Sequence, residues 1–125
     1  MDNARGERVV KLKVLPASLR ERNRYILFKI IAEAPIEYSD LEGAVWNTML
    51  DFLGEHGVSK TSVWLMKDRW NEKEQTCVIR CNHLSVHEVI ASLGLITRLG
   101  DARVAIKILK VSGTIKGLNI NHANL

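Results

Sequence analysis

Apolar positions along Arg24-Tyr-Ile-Leu-Phe-Lys-Ile-Ile31 recur with the period of a strand. Ile26, Phe28 and Ile30 share one face, and Tyr25, Leu27, Lys29 and Ile31 share the other. One face is wholly apolar and the other carries a single lysine, so the pattern predicts a central strand with cover on both sides. Turn chemistry at Pro35 follows, and then Ser39-Asp-Leu-Glu42 reads as a capping box. Leu41, Ala44, Val45, Thr48, Met49, Phe52 and Leu53 recur behind it at helical spacing, which predicts a first long helix ending near Gly54 and Gly57. Ser59 to Met66 alternates as a second strand, Lys67 to Gln75 is a polar hairpin connection, and Thr76 to Cys81 alternates as a third strand. A second capping box, Ser85-Val-His-Glu88, opens a helix whose buried stripe is Val86, Val89, Ile90, Leu93 and Ile96, closed by Gly100. Arg103 to Val111 is the fourth strand, and a short helix follows it.

This order of strand, helix, strand, strand, helix, strand predicts an α+β fold, a ferredoxin-like or RRM-like split βαβ arrangement. Right-handed crossovers place both helices on one face of a four-stranded antiparallel sheet, with the first and third strands central. The second face then presents Leu27, Ile31, Trp64, Met66, Val78, Leu109 and Val111 around Tyr25, Lys29, Arg80 and Lys107. So apolar a surface needs a cover. Candidates are Ser112 to Leu118, the arm at residues 9–20, or another subunit. With 125 residues, of which 46% are hydrophobic, the chain suits one domain. That domain is expected at residues 11–118, between a flexible basic segment at 1–10 and a tail at 119–125.

Charge divides the chain further. Residues 1–24 hold seven Lys/Arg against three Asp/Glu, residues 25–97 hold six against ten, and residues 98–125 hold five against one. Basic ends suggest a polyanion, and an acidic middle suggests a different partner. No Lys or Arg occurs from Ile30 to Ser59, so the first helix, with Glu42, Asp51 and Glu55, is suited to a basic protein surface rather than nucleic acid. Trp46 on that helix is a core residue or an interface residue. The absence of a long apolar run and of a spaced cysteine framework predicts a cytoplasmic protein without membrane contact.

Enzymatic signals are weak. Cys77 and Cys81 precede His83 and His87, but along a strand four residues span about 13 Å, too far for one zinc ion. Buried, inert cysteines are the expectation. His56 among Gly54, Glu55 and Gly57 reads as a turn histidine, and no glycine-rich loop opens a helix after the first strand. Base stacking on the sheet in the manner of an RNA-recognition motif has Tyr25 as one candidate, yet Thr76-Cys-Val-Ile-Arg-Cys81 lacks the aromatic pair.

Leu15-Pro-Ala-Ser-Leu-Arg20 shortly before Arg24-Tyr25, the two-helix layout, and Val111-Ser-Gly-Thr-Ile115 after the last strand are together similar to the archaeal-type ribonuclease P protein component 2 family. The resemblance covers about residues 11–118. Pro16, Ser18, Leu19, Arg20, Arg24 and Tyr25 match its amino-terminal pattern, and Ser112, Gly113 and Thr114 its carboxy-terminal one; Ala17 replaces a common second proline, which lowers the expected rigidity of the arm. The resemblance implies a non-catalytic, RNA-binding subunit of the RNA-based enzyme that removes the 5′ leader of precursor tRNA. It implies ribonuclease P RNA as a partner, a TIM-barrel-like protein subunit as another, and a homodimer contact within a heterotetramer. No cofactor is expected on the protein, while the RNA of the complex requires metal ions.

Under that reading, Lys11, Lys13, Arg20, Arg22 and Arg24, joined by Lys107, Lys110 and Lys116, form an expected phosphate-binding surface, because the first and fourth strands are neighbours in this topology. Lys67, Arg69 and Trp70 in the hairpin form a second RNA contact, with the indole stacking on a base; Trp70 packing back on the sheet is the alternative. Glu42, Trp46 and Asp51 are the expected protein interface. Two rivals are a ferredoxin-like assembly domain that binds only protein and a stand-alone ribonuclease using a histidine.

Overall fold

A computed structural model describes residues 22–118. β1 (Asn23–Ala32) leads to α1 (Tyr38–Thr61), then β2 (Trp64–Asn71), β3 (Thr76–Asn82), α2 (Val86–Gly94), β4 (Arg98–Leu99) and β5 (Ala102–Ser112), with single 3-10 turns at His83–Ser85 and Lys116–Leu118. The sheet runs β2-β3-β1-β5-β4, with β1 antiparallel to both β3 and β5. The predicted split βαβ layout is therefore present, with β1 and β3 inside it. A fifth strand, the two-residue β4, corrects the predicted count of four: Gly100, at φ 65°, turns the chain back so that Leu99 pairs with Ala102. The second helix accordingly ends at Gly94, and Gly100 belongs to this turn.

The main core lies between the sheet and the two helices. Ile26, Phe28 and Ile30 of β1 and Cys77, Ile79 and Cys81 of β3 meet Leu41, Val45 and Met49 of α1 and Val89 and Leu93 of α2. These are the positions that strand and helix periodicity select, because cross-strand partners share a face.

Phe52 departs from the predicted stripe and is 50% exposed, while Leu53 packs on the core. Gly54, at φ 75°, kinks α1 and resets the helical phase of the residues that follow it. The helix then continues through residues expected to begin a strand. Asn82 donates from Nδ2 to the Lys60 carbonyl at 2.6 Å, and Thr61 Oγ1 donates to the Val58 carbonyl at 2.6 Å. Carbonyls at the helix end thereby find partners, and β2 starts only at Trp64. As a result Lys67 to Asn71 belong to a strand instead of a loop.

Neither capping box forms. Ser39 sits inside α1, whose N-cap is Glu37, and Ser85 holds the N-cap position of α2 without a side-chain capping bond. A different device fixes the start of α1. Gln75, at φ 56° in the β2–β3 turn, accepts from the Ile36 amide through Oε1 at 2.7 Å and donates from Nε2 to the Ile36 carbonyl at 3.3 Å.

Candidate nucleic-acid interface

The sheet face away from the helices has its own small core. Leu27 and Val78 are buried there together with Leu118, and Tyr25 and Met66 pack against them. Leu118 arrives through hydrogen bonds made by the segment after β5. The Thr114 amide donates to Ser112 Oγ at 3.2 Å, and the Gly117 amide donates to Thr114 Oγ1 at 3.0 Å. A side chain at Gly117 would press on the Ser112 hydroxyl and disturb its bond from the Thr114 amide. Residues 112–118 thus supply part of the cover that the sequence demands. The arm at residues 9–20 lies outside the described residues, as do Lys11, Lys13 and Arg20.

A bulge decides which cations share this open face. Leu27 pairs with Lys110 but Phe28 pairs with Ile108, leaving Leu109 as the extra residue. Strict alternation along β5 sets Lys107, Leu109 and Val111 on one face. The register instead places Lys107 opposite Lys29 and Lys110 opposite Leu27, and moves Val111 opposite Ile26 on the helix side. Lys29, Lys107 and Lys110 therefore stand together on the open face, with Arg80 opposite Tyr25 one strand away. Lys107 and Lys110 are exposed, and among the described residues no carboxylate forms an ion pair with any of these four.

Arg24 occupies the leading end of β1 on the helix side, in register with Cys81. Its Nη1 donates to the Asn23 carbonyl at 2.9 Å and lies 3.6 Å from where a Gly113 side chain would begin. The two sequence patterns around Arg24 and Gly113, almost 90 residues apart, consequently meet at one end of the sheet. Arg22 is exposed beside them, its carbonyl accepting from the His83 amide at 2.7 Å, and Lys116 is exposed in the 3-10 turn.

The hairpin candidates lie at the opposite end, where Lys29 pairs with Thr76 and Thr76 with Asn71. Trp70 is half-buried against the main core, its ring centroid 6.0 Å from that of Tyr38, and Lys67 Nζ is 5.7 Å from the Tyr38 centroid. Arg69 Nε is 4.0 Å from Asp68 Oδ2. Lys67 and Trp70 thus meet Tyr38 at the start of α1, and the trio does not join the Lys107 and Lys110 group.

On α1, Glu42 Oε2 accepts from the Tyr38 hydroxyl at 3.3 Å; burial, reinforced by the Glu42 charge, raises the phenol above its ordinary range. Trp46 is half-buried against the core, while exposed Asp51 lines a shallow groove with Thr48, Phe52 and Leu95. Leu95 is 54% exposed. The sequence marked the acids of this face but not its apolar content, because helical spacing assigned Phe52 to the buried stripe.

Burial pushes the Cys77 thiol up to about 12 and the Cys81 thiol up to about 11, with the Arg24 charge pulling Cys81 partly back. Both cysteines are free and buried. Among the described residues no three His, Cys, Asp or Glu side chains could hold a metal ion, and no helix is long and apolar enough to cross a membrane.

The Rpp14/Pop5 family model matches residues 24–121. Ribonuclease P protein component 2 of Pyrococcus furiosus is 43% identical over 106 residues, covering 85% of this chain and 87% of that protein. The protein of the same name from Methanobrevibacter smithii is 38% identical over 114 residues, covering 86% and 93%. A chain in the cryo-EM structure of yeast ribonuclease MRP shares the fold at a TM-score of 0.57 and 14% identity, covering 74% of this chain and 75% of that one. The chain belongs to the Rpp14/Pop5 family, alongside the archaeal ribonuclease P protein component 2 sequences.

Proposed function

We infer that this chain is a non-catalytic, RNA-binding protein subunit of ribonuclease P, supporting the RNA that removes the 5′ leader from precursor tRNA. The observation that carries the reading, beside family membership, is the bulge that sets Lys110 with Lys107 and Lys29 on a face where, among the described residues, no carboxylate pairs with them. Such a surface neutralises phosphates without selecting a sequence, which suits a protein that holds a folded RNA. Arg22, Arg24 and Lys116 extend it at the leading end, and Lys11, Lys13 and Arg20 are assigned to the same RNA within a domain spanning residues 11–118. Lys67 and Arg69 of β2 provide a separate contact.

The opposite layer is assigned to protein. Glu42, Asp51 and the exposed Phe52 and Leu95 offer acidic and apolar character to a basic, TIM-barrel-like ribonuclease P subunit, and a second copy of this chain completes a heterotetramer. The metal ions of the reaction are held by the RNA, and the assembly works in the cytoplasm. Reconstitution tests the reading. Purified chain alone should leave precursor tRNA intact, and adding it to ribonuclease P RNA with its protein partners should raise cleavage at the mature 5′ end. Cleavage by the RNA-free chain would establish the ribonuclease rival, and absence of any RNA affinity would establish the protein-only rival.

A further inference from the structure

Trp64 begins β2, at the edge of the sheet, and is 58% exposed. Its cross-strand partner is Arg80 of β3, and Arg80 in turn faces Tyr25 of β1. Partners across antiparallel strands share a face, so Trp64 and Arg80 are neighbours on the open side. Tyr25, the aromatic expected to meet bases, is half-buried against the Leu118 cap. Trp64 is not so engaged: among the described residues no ring or cation stacks on its indole. An indole that exposed, beside an arginine that has no carboxylate partner among the described residues, has the chemistry of a stacking platform next to a phosphate-binding guanidinium.

We propose that Trp64 and Arg80 form a site for an unstacked base of single-stranded RNA, with the base on the indole and the adjoining phosphate on the guanidinium. The inference rests on the RNA-binding reading above and adds a ligand class to it. Lys110 lies three strand spacings away, roughly 14 Å across the face, on the far side of the Leu118 cap. A short single strand running across the sheet therefore reaches cations at both ends and an aromatic surface at one. The two third-strand aromatics of an RNA-recognition motif are absent here; the edge strand β2 supplies the ring.

The test uses the full chain with a labelled, non-self-complementary single-stranded RNA and a duplex of the same sequence, followed by anisotropy and indole fluorescence. Trp64→Ala should weaken single-strand binding by about tenfold and leave duplex binding unchanged. Trp64→Phe should retain most of the affinity but lose the fluorescence quenching seen with wild type. Arg80→Gln should weaken the single strand more than the duplex. Wild-type single-strand affinity in a folded Trp64→Ala protein would overturn the site, as would an equal loss for both RNAs. Concentration-dependent self-association that Trp64→Ala abolishes would overturn it in favour of a second copy on this face. A wild-type chain that binds neither RNA would defeat the broader RNA reading as well, whereas unchanged duplex binding with no Trp64 effect would defeat this inference alone.

Discussion

The two outer faces of this molecule differ in how they are made. The open sheet face depends on register: one bulge in β5 brings Lys110 into line with Lys107, and strand pairing brings Arg80 beside Trp64. The outer helix face depends on which helix positions turn away from the sheet, and Phe52 stands exposed there beside Asp51 and Leu95, just before the kink at Gly54. The first face is cationic and suited to phosphates; the second is acidic and apolar and suited to protein. If the two sides take different partners, the core must hold the faces in fixed relation, and β1 does this by burying Phe28 on one side and Leu27 on the other.

Breaking that common support should have the largest effect. Phe28→Ala removes a fully buried ring and should cost about 3–5 kcal/mol, read as a lowered midpoint in urea together with loss of both binding activities. Leu118→Ala should cost less, about 2 kcal/mol, because it opens a smaller cluster on the sheet side. Its signature is selective: RNA affinity should fall while partner affinity on the helix face survives. Equal loss of both would show that the Leu118 cap supports the whole fold rather than one face.

Much of the fold was legible in the sequence because strand alternation and helical stripes report burial directly. Ile26, Phe28, Leu41, Val45, Met49, Val89 and Leu93 all occupy the core positions their spacing selects. Position along the chain was harder. Ser59 to Val63 alternates like a strand, yet the Asn82 amide and the Thr61 hydroxyl satisfy the helix end and keep residues through Thr61 helical. The site was legible as composition, in the basic ends and acidic middle, but not as geometry. No local pattern marks the Leu109 bulge, and it alone decides which β5 lysines share the open face. Likewise Arg24 alternates with Ile26, so it belongs to the helix side of the sheet end and reaches the trailing segment through Gly113.

The buried thiols sharpen the comparison from within. Cys77 and Cys81 face the helix layer, and their raised values mean that the folded state holds neutral thiols where the unfolded chain ionises. The stability they contribute is fully present below the ordinary thiol range near ~8.5 and declines as pH rises toward about 11 for Cys81 and about 12 for Cys77. Urea titrations across that alkaline window should show the decline, and Cys77→Ser with Cys81→Ser should flatten it. At neutral pH, native thiols should react with a disulfide reagent only after denaturation.

A smaller effect is expected on the protein side. Phe52→Ser together with Asp51→Lys should weaken binding of the partner subunit by calorimetry while leaving RNA affinity and thermal stability near wild type, since both positions are exposed. Unchanged partner affinity would move the protein interface away from α1.

The division of faces is tested most directly by RNA affinity against salt for wild type and for Lys107→Gln combined with Lys110→Gln. For every phosphate that is no longer neutralised, the slope of log affinity against log salt should fall by about 0.7 to 0.9. If the open face binds RNA, the double variant should therefore show a clearly flatter slope, weaker binding at low salt and unchanged affinity for the protein partner. Wild-type slope and affinity in a folded double variant, or a loss of partner binding in place of RNA binding, would contradict it.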